Sequence, residues 1–166
     1  GSDILSGGAG ADTVVFGDEP GVTVILDFEV GQDRIAFRSE SFGVEEPLAL
    51  QTVARDGEGT DAALVDVEGG SNLYVLQGGF ENAGQAADAL ADALAGGDDE
   101  GAGFFVYFNV NQERARLVSV DDLDDAAADI AVLANLGEGG TPEAIETLDD
   151  FTADNFAFVD PDPFLI

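Results

Sequence analysis

The chain has 166 residues, 45% of them hydrophobic, and a formal net charge of −30 from 35 acidic residues set against five basic ones, all arginine. That balance excludes nucleic-acid binding by phosphate neutralisation and disfavours an anionic membrane surface as a partner; the length fits one domain, or one with a short extension. With no His and no Cys, the chain has no disulfide, no imidazole or thiolate metal ligand, and no Ser-His-Asp or Cys-His nucleophilic machinery.

The first sixteen residues carry the most specific pattern. Gly7-Gly8-Ala9-Gly10-Ala11-Asp12-Thr13-Val14-Val15 fits the nine-residue motif G-G-x-G-x-D-x-U-x, in which U is a large apolar residue. Residues 1–6 fit the last six positions of the same motif, so Asp3 precedes Asp12, and Leu5 precedes Val14, by nine. The glycines permit a tight turn with backbone carbonyls turned inward. The aspartate adds a charged oxygen. Such an all-oxygen set suits a hard cation of calcium size, and a single turn supplies only half a cage. The remaining x-U-x is a short strand with its apolar residue directed into the stack.

This register resembles the calcium-binding repeats of RTX (hemolysin-type) proteins, which form a parallel β-roll. The resemblance implies calcium ligation by the carboxylates of Asp3 and Asp12 and by carbonyls of Gly1, Gly7, Gly8 and Gly10. The absence of an initiating Met leads us to expect further repeats upstream in a longer chain.

Residues 17–21 read as a turn. Residues 22–28 and 34–37 read as strands around Glu29-Val30-Gly31-Gln32-Asp33. The phrase Ile25-Leu26-Asp27-Phe28-x-x-Gly31-x-Asp33-x-Ile35 is similar to the segment that follows the last repeat in many RTX proteins. By position, Asp27 and Asp33 are candidates to complete the last calcium site, with solvated turn carboxylates as the alternative.

Residues 38–61 are loop-rich with one expected strand, 48–53. Asp56-Gly57-Glu58-Gly59-Thr60-Asp61 is an acidic turn without the spacing of an EF-hand loop. Residues 64–67 and 73–76, followed by a helix, form a weak internal repeat with 117–120 and 130–133, again followed by a helical stretch; chance similarity of β-patterned segments is the alternative. In the first helix Asn82 is the cap and Gln85 occupies the capping-box position. Ala83, Ala86, Ala87, Leu90 and Leu94 share a face, and Gly96-Gly97 ends it. In the second, Thr141 caps, Pro142 takes the first helical position, and Ile145 and Leu148 face inward.

Between them, Phe104-Phe105-Val106-Tyr107-Phe108 and residues 115–120 read as a hairpin. Aromatics on both strand faces imply burial on both sides, or an exposed patch at Phe105 and Tyr107 used for contact. The cluster Asp121-Asp122-Leu123-Asp124-Asp125 is either a second cation site or a solvated loop. Residues 105–109, 116–118, 129–136 and 154–156 also look like tails downstream of RTX repeats. The terminal Asp160-Pro161-Asp162-Pro163-Phe164-Leu165-Ile166 resembles the uncleaved C-terminal signal of type I secretion substrates, and it is too short to cross a membrane.

The expected fold is mainly β: a short β-roll stub over residues 1–37, then a β-rich cap with about two short helices over 38–166. The expected function is that of a non-catalytic, calcium-binding C-terminal module of a secreted RTX-type protein, found outside the cell or on its surface. It folds on binding calcium and carries information for the type I secretion apparatus. The alternative is a calcium-stiffened structural or adhesive module that self-associates.

Overall fold

A computed structural model describes residues 2–17, 21–44, 47–56, 63–65, 67, 69–94, 101–125, 127–136 and 148–159. The chain begins by alternating between two sheets. β1 (Ile4–Leu5) pairs in parallel with β3 (Thr23–Ile25). β2 (Thr13–Phe16) pairs in parallel with β4 (Arg34–Arg38). Each pass therefore lies on the one before it, and residues 6–12 and 26–33 form stacked turns. This is the short parallel roll expected from the glycine-aspartate register. The first strand of the second pass is shorter than the expected 22–28, because the chain turns at Leu26 and Asp27.

After the short helix α1 (Ser39–Phe42) come β5 (Leu50–Arg55), β6 (Leu64–Val65) and β7 (Leu73–Phe80). Helix α2 (Ala83–Leu94), β8 (Gly103–Asn109), β9 (Arg114–Val120), β10 (Ile130–Leu136) and β11 (Phe156–Val159) follow. Among the described residues, the strands make an eight-stranded sheet ordered β1-β3-β10-β9-β8-β7-β5-β6 and a three-stranded sheet ordered β11-β4-β2. The roll is thus built into the rest of the fold, since β3 pairs with β10 and β4 with β11.

Two apolar cores lie on opposite faces of the large sheet. One joins Phe16, Ile25, Ile35 and Phe37 of the roll to Leu73, Phe104, Val106, Phe108 and Leu117. Phe37 stacks on Phe104 with ring centroids 3.9 Å apart. The other joins Tyr74, Leu76, Phe105, Tyr107 and Val118 to Ala83, Ala86, Leu90 and Leu94 of α2. The order is small sheet, large sheet, helix. β8 lies in the middle, and all seven of its residues are buried. Its period-2 alternation delivers Phe104, Val106 and Phe108 to one core and Phe105 and Tyr107 to the other. The strand is therefore core on both faces, and the contact surface considered for Phe105 and Tyr107 does not exist.

α2 forms where its capping pattern places it. Asn82 Oδ1 accepts from Gln85 N at 2.8 Å, and Gln85 Oε1 accepts from Glu81 N at 2.7 Å. This is a capping box reaching one residue further back than the usual form. The β8–β9 hairpin also matches its expectation, with Asn109 opposite Arg114.

Other expectations shift. β5 starts and ends two residues later than expected; β6 covers Leu64–Val65 of the expected 64–67, and residue 66 lies outside the described residues. β7 runs on to Phe80 through an irregularity at Gly78, whose φ of +79° suits glycine. The internal repeat does not correspond to equivalent units: β9 and β10 are antiparallel neighbours, whereas β5 lies between β6 and β7. Leu148 is buried in a 3-10 turn, Leu148–Asp150. The expected helix start at Thr141, Pro142 and Ile145 lies outside the described residues, as do Gly96-Gly97, Gly57 to Asp61 of the acidic turn, and the tail 160–166.

Candidate metal centre

The strand registers decide which turn residues meet. Leu5 lies opposite Ile25, and Thr13 opposite Arg34. Continuing the same registers into the turns sets Gly7 beside Asp27 and Asp12 beside Asp33. Backbone bonds from Leu26 N to Leu5 O at 2.9 Å and from Arg34 N to Asp12 O at 2.8 Å close the two ends of the stack. In the first turn Gly8 and Gly10 have φ of +91° and +121°, a region that L side chains adopt at a steric cost.

Asp27 holds the first half of the turn over residues 6–12. Its Oδ1 accepts from Gly7 N at 3.0 Å, and its Oδ2 accepts from Ser6 Oγ at 2.6 Å and Gly8 N at 2.9 Å. The Ser6 hydroxyl above all, then the Gly8 and Gly7 amides, hold its carboxyl below the usual aspartate range. Asp33 holds the second half and is buried, 7% exposed. Its Oδ1 accepts from Asp12 N at 3.0 Å and its Oδ2 from Glu29 N at 2.8 Å. Both carboxylates staple one turn to the other by charge-assisted hydrogen bonds.

Asp12 is placed differently. Its carboxylate folds back over Gly7, where a Cβ would come within 2.5 Å of Asp12 Oδ2. Any larger residue at position 7 would force the Asp12 side chain to move. Asp12 Oδ2 is buried and has no hydrogen-bond partner. A buried carboxylate oxygen left so is costly.

The stack therefore brings together Gly7, Gly8, Gly10, Asp12, Asp27 and Asp33. Asp3 stands apart at the other end of β1. It shares a cavity of about 310 Å³ with Leu5, Val14, Gly17, Gly21 and Leu133, and its carbonyl accepts from Val24 N at 2.8 Å. Gly1 lies outside the described residues.

The sequence reading missed how residues 152–155 support the end of the turn over residues 26–33. Thr152 N donates to Asn155 Oδ1 at 3.0 Å, and Asn155 Nδ2 donates to the Asp33 carbonyl at 3.0 Å. Arg34 Nε donates to the Asp154 carbonyl at 3.1 Å. The available signal was Thr152 followed three residues later by Asn155, a capping box with Asn where Glu or Gln is usual.

At the second acidic candidate, Asp125 Oδ1 accepts from Ala127 N at 2.8 Å, and Leu123 is buried. That segment is an ordered turn closing the β9–β10 connection. Among the described residues, no group of three or more Asp, Glu, His or Cys side chains is arranged to hold a metal ion. A cation at the stacked turns must therefore draw on backbone carbonyls as well as on Asp12.

No protein-family model matches the chain, and neither a curated protein nor a solved structure shows significant similarity to it.

Proposed function

We propose that the chain is a calcium-binding, non-catalytic module of a secreted RTX-type protein, and that the ion binds at the stacked turns. The buried oxygen of Asp12, with no protein hydrogen-bond donor to neutralise it, is the observation that carries this reading. Asp12 supplies charge, the glycine-rich turn supplies carbonyl oxygens, and Asp27 and Asp33 hold the two turns together. Every available ligand is an oxygen, which favours calcium over softer metals.

Calcium supplies positive charge to a chain carrying −30 and orders the two turns that bear its ligands. The site does not exist in the unfolded chain, so its binding free energy contributes to folding. Extracellular modules bind calcium with dissociation constants of roughly 10⁻⁴–10⁻³ M. At a hundredfold excess over that constant one site contributes about 2.7 kcal/mol, a sizeable part of the stability of a small domain. The reading assigns the module to the cell exterior, loosely folded before export through the type I secretion apparatus and folded afterwards. The support for this export step is the resemblance of the repeats and of the terminal residues.

The test is thermal melting against calcium, with magnesium as control. A melting temperature that rises with calcium alone is the expected result. Equal responses to both ions would indicate general charge screening and defeat the reading.

A further inference from the structure

Asn155 is 2% exposed and uses both ends of its amide. Its oxygen accepts from Thr152 N and caps the 3-10 turn Ala153–Asn155. Its nitrogen donates to the Asp33 carbonyl, across 122 positions of sequence. Asp33 is the residue whose carboxylate takes the amide of Asp12. A continuous chain of contacts thus runs from Asn155 through Asp33 to Asp12. The next residue after Asn155 opens β11, where Phe156 pairs with Ile35 of β4. The clamp therefore closes the gap between the start of β11 and the turn beside it.

We propose that Asn155 is a positioning residue for the metal turn, and that cation binding is coupled through it to docking of residues 152–159. This rests on the calcium reading of the stacked turns. The physical argument is one of constraint. Asp33 presents its carboxylate to Asp12 N only while its own peptide keeps its orientation. The Asp33 carbonyl is held by Asn155, the Arg34 amide of the same peptide unit donates to the Asp12 carbonyl at 2.8 Å, and the Asp33 amide, in the preceding unit, donates to Glu29 O at 2.8 Å. Release of Asn155 removes one of the three bonds that orient the Asp33 backbone and loosens the turn that sets the Asp12 carboxylate. Linkage makes the effect reciprocal: an ion that favours the ordered turn favours the docked β11 by the same factor.

The chemistry of the amide allows its two roles to be separated. Asn155→Asp keeps an oxygen to accept from Thr152 N and so keeps the cap, but it turns an acceptor toward the Asp33 carbonyl. Thr152→Ala removes the hydroxyl that accepts from Asp154 N at 3.3 Å and leaves both Asn155 bonds in place. Calorimetric titration of the folded chain with calcium chloride reads the difference. We expect N155D to weaken calcium binding about tenfold, the worth of one buried hydrogen bond, and T152A to lower the melting temperature in chelator while leaving the dissociation constant unchanged.

The outcomes are distinct. A wild-type chain that takes up no calcium removes the calcium reading itself. Wild-type binding with an unaltered constant in N155D removes the positioning role alone. Should N155D fail to fold, hydrogen exchange on the wild-type chain decides. Calcium is then expected to slow exchange of the β11 amides more than those of Leu64 and Val65 at the far edge of the large sheet. Equal slowing at both places would overturn the coupling.

Discussion

The turns of the roll and the β8–β9 hairpin are held by different forces. In the hairpin, β8 is buried on both faces, and its stability comes from the area of Phe, Val and Tyr side chains removed from water. In the roll, Ile4 and Val15 are 72% and 47% exposed, and the turns depend on carboxylates accepting backbone N–H groups. Apolar burial involves no group that titrates or ligates an ion. Carboxylate staples are built from such groups. One fold thus contains a part that resists changes in solution conditions and a part that answers to them, joined where Phe37 stacks on Phe104.

The largest break in this contrast comes from the hairpin. Phe105→Ala should cost about 3–5 kcal/mol, the usual range for a buried Phe. The loss should be the same with calcium or with chelator, as judged by chemical denaturation. A loss that depends on calcium would show that the two regions are not separable in this way.

In the roll, Asp33→Ala leaves the amides of Asp12 and Glu29 without their acceptor and should cost about 3 kcal/mol, from two charge-assisted bonds at a buried position. Unlike Phe105→Ala, it should also abolish any calcium-dependent rise in melting temperature. Asp12→Asn sharpens the distinction. Its stability in chelator should match or slightly exceed wild type, because a buried charge is removed, while the calcium increment of about 2.7 kcal/mol at a hundredfold excess is lost. An Asp12→Asn melting curve that still rises with calcium would exclude Asp12 as the ligand.

Acid should act on the roll through Asp27. Its folded pKa is depressed, so the stabilisation it contributes is complete above the unfolded value near 4. It is lost as pH falls through the folded value. Amide exchange at Gly7 and Gly8 should quicken over that window, and Asp27→Asn should remove the pH dependence. Because Asp27 is only half-buried, the effect should stay local to the turn.

The smallest effect is expected in the hairpin turn. Glu113 has φ of +52°, in the left-handed region that costs a side chain free energy. Glu113→Gly should be stabilising by about 0.5 kcal/mol, equally in calcium and chelator, as measured by urea denaturation.

Much of the fold was legible in local pattern. Gly7, Gly8, Gly10 and Asp12 set a turn and strand, Asn82 and Gln85 set a helix start, and the run from Phe104 to Phe108 set a strand with aromatics on both faces, whose burial the structure decided. These signals act over a few residues, within reach of one turn or one strand pair. The candidate site was legible only in part. Asp27 and Asp33 were chosen by position, yet their work is to accept amide protons from a turn twenty residues earlier. Asp3 shares the motif of Asp12, yet it lies at the other end of β1, because a nine-residue period places successive aspartates at opposite ends of a strand.

By itself the sequence determined composition, local turn chemistry and the periodicities of single elements, since each depends on steric and solvation preferences of neighbouring residues. Only the tertiary structure decided that β3 would join β10, that Phe37 would meet Phe104, and that Asn155 would reach Asp33. Those contacts join residues far apart in sequence and form only when two cores close on opposite faces of one sheet. Sequence distance does not encode such closure, because many strand orders satisfy the same local alternation of apolar and polar residues.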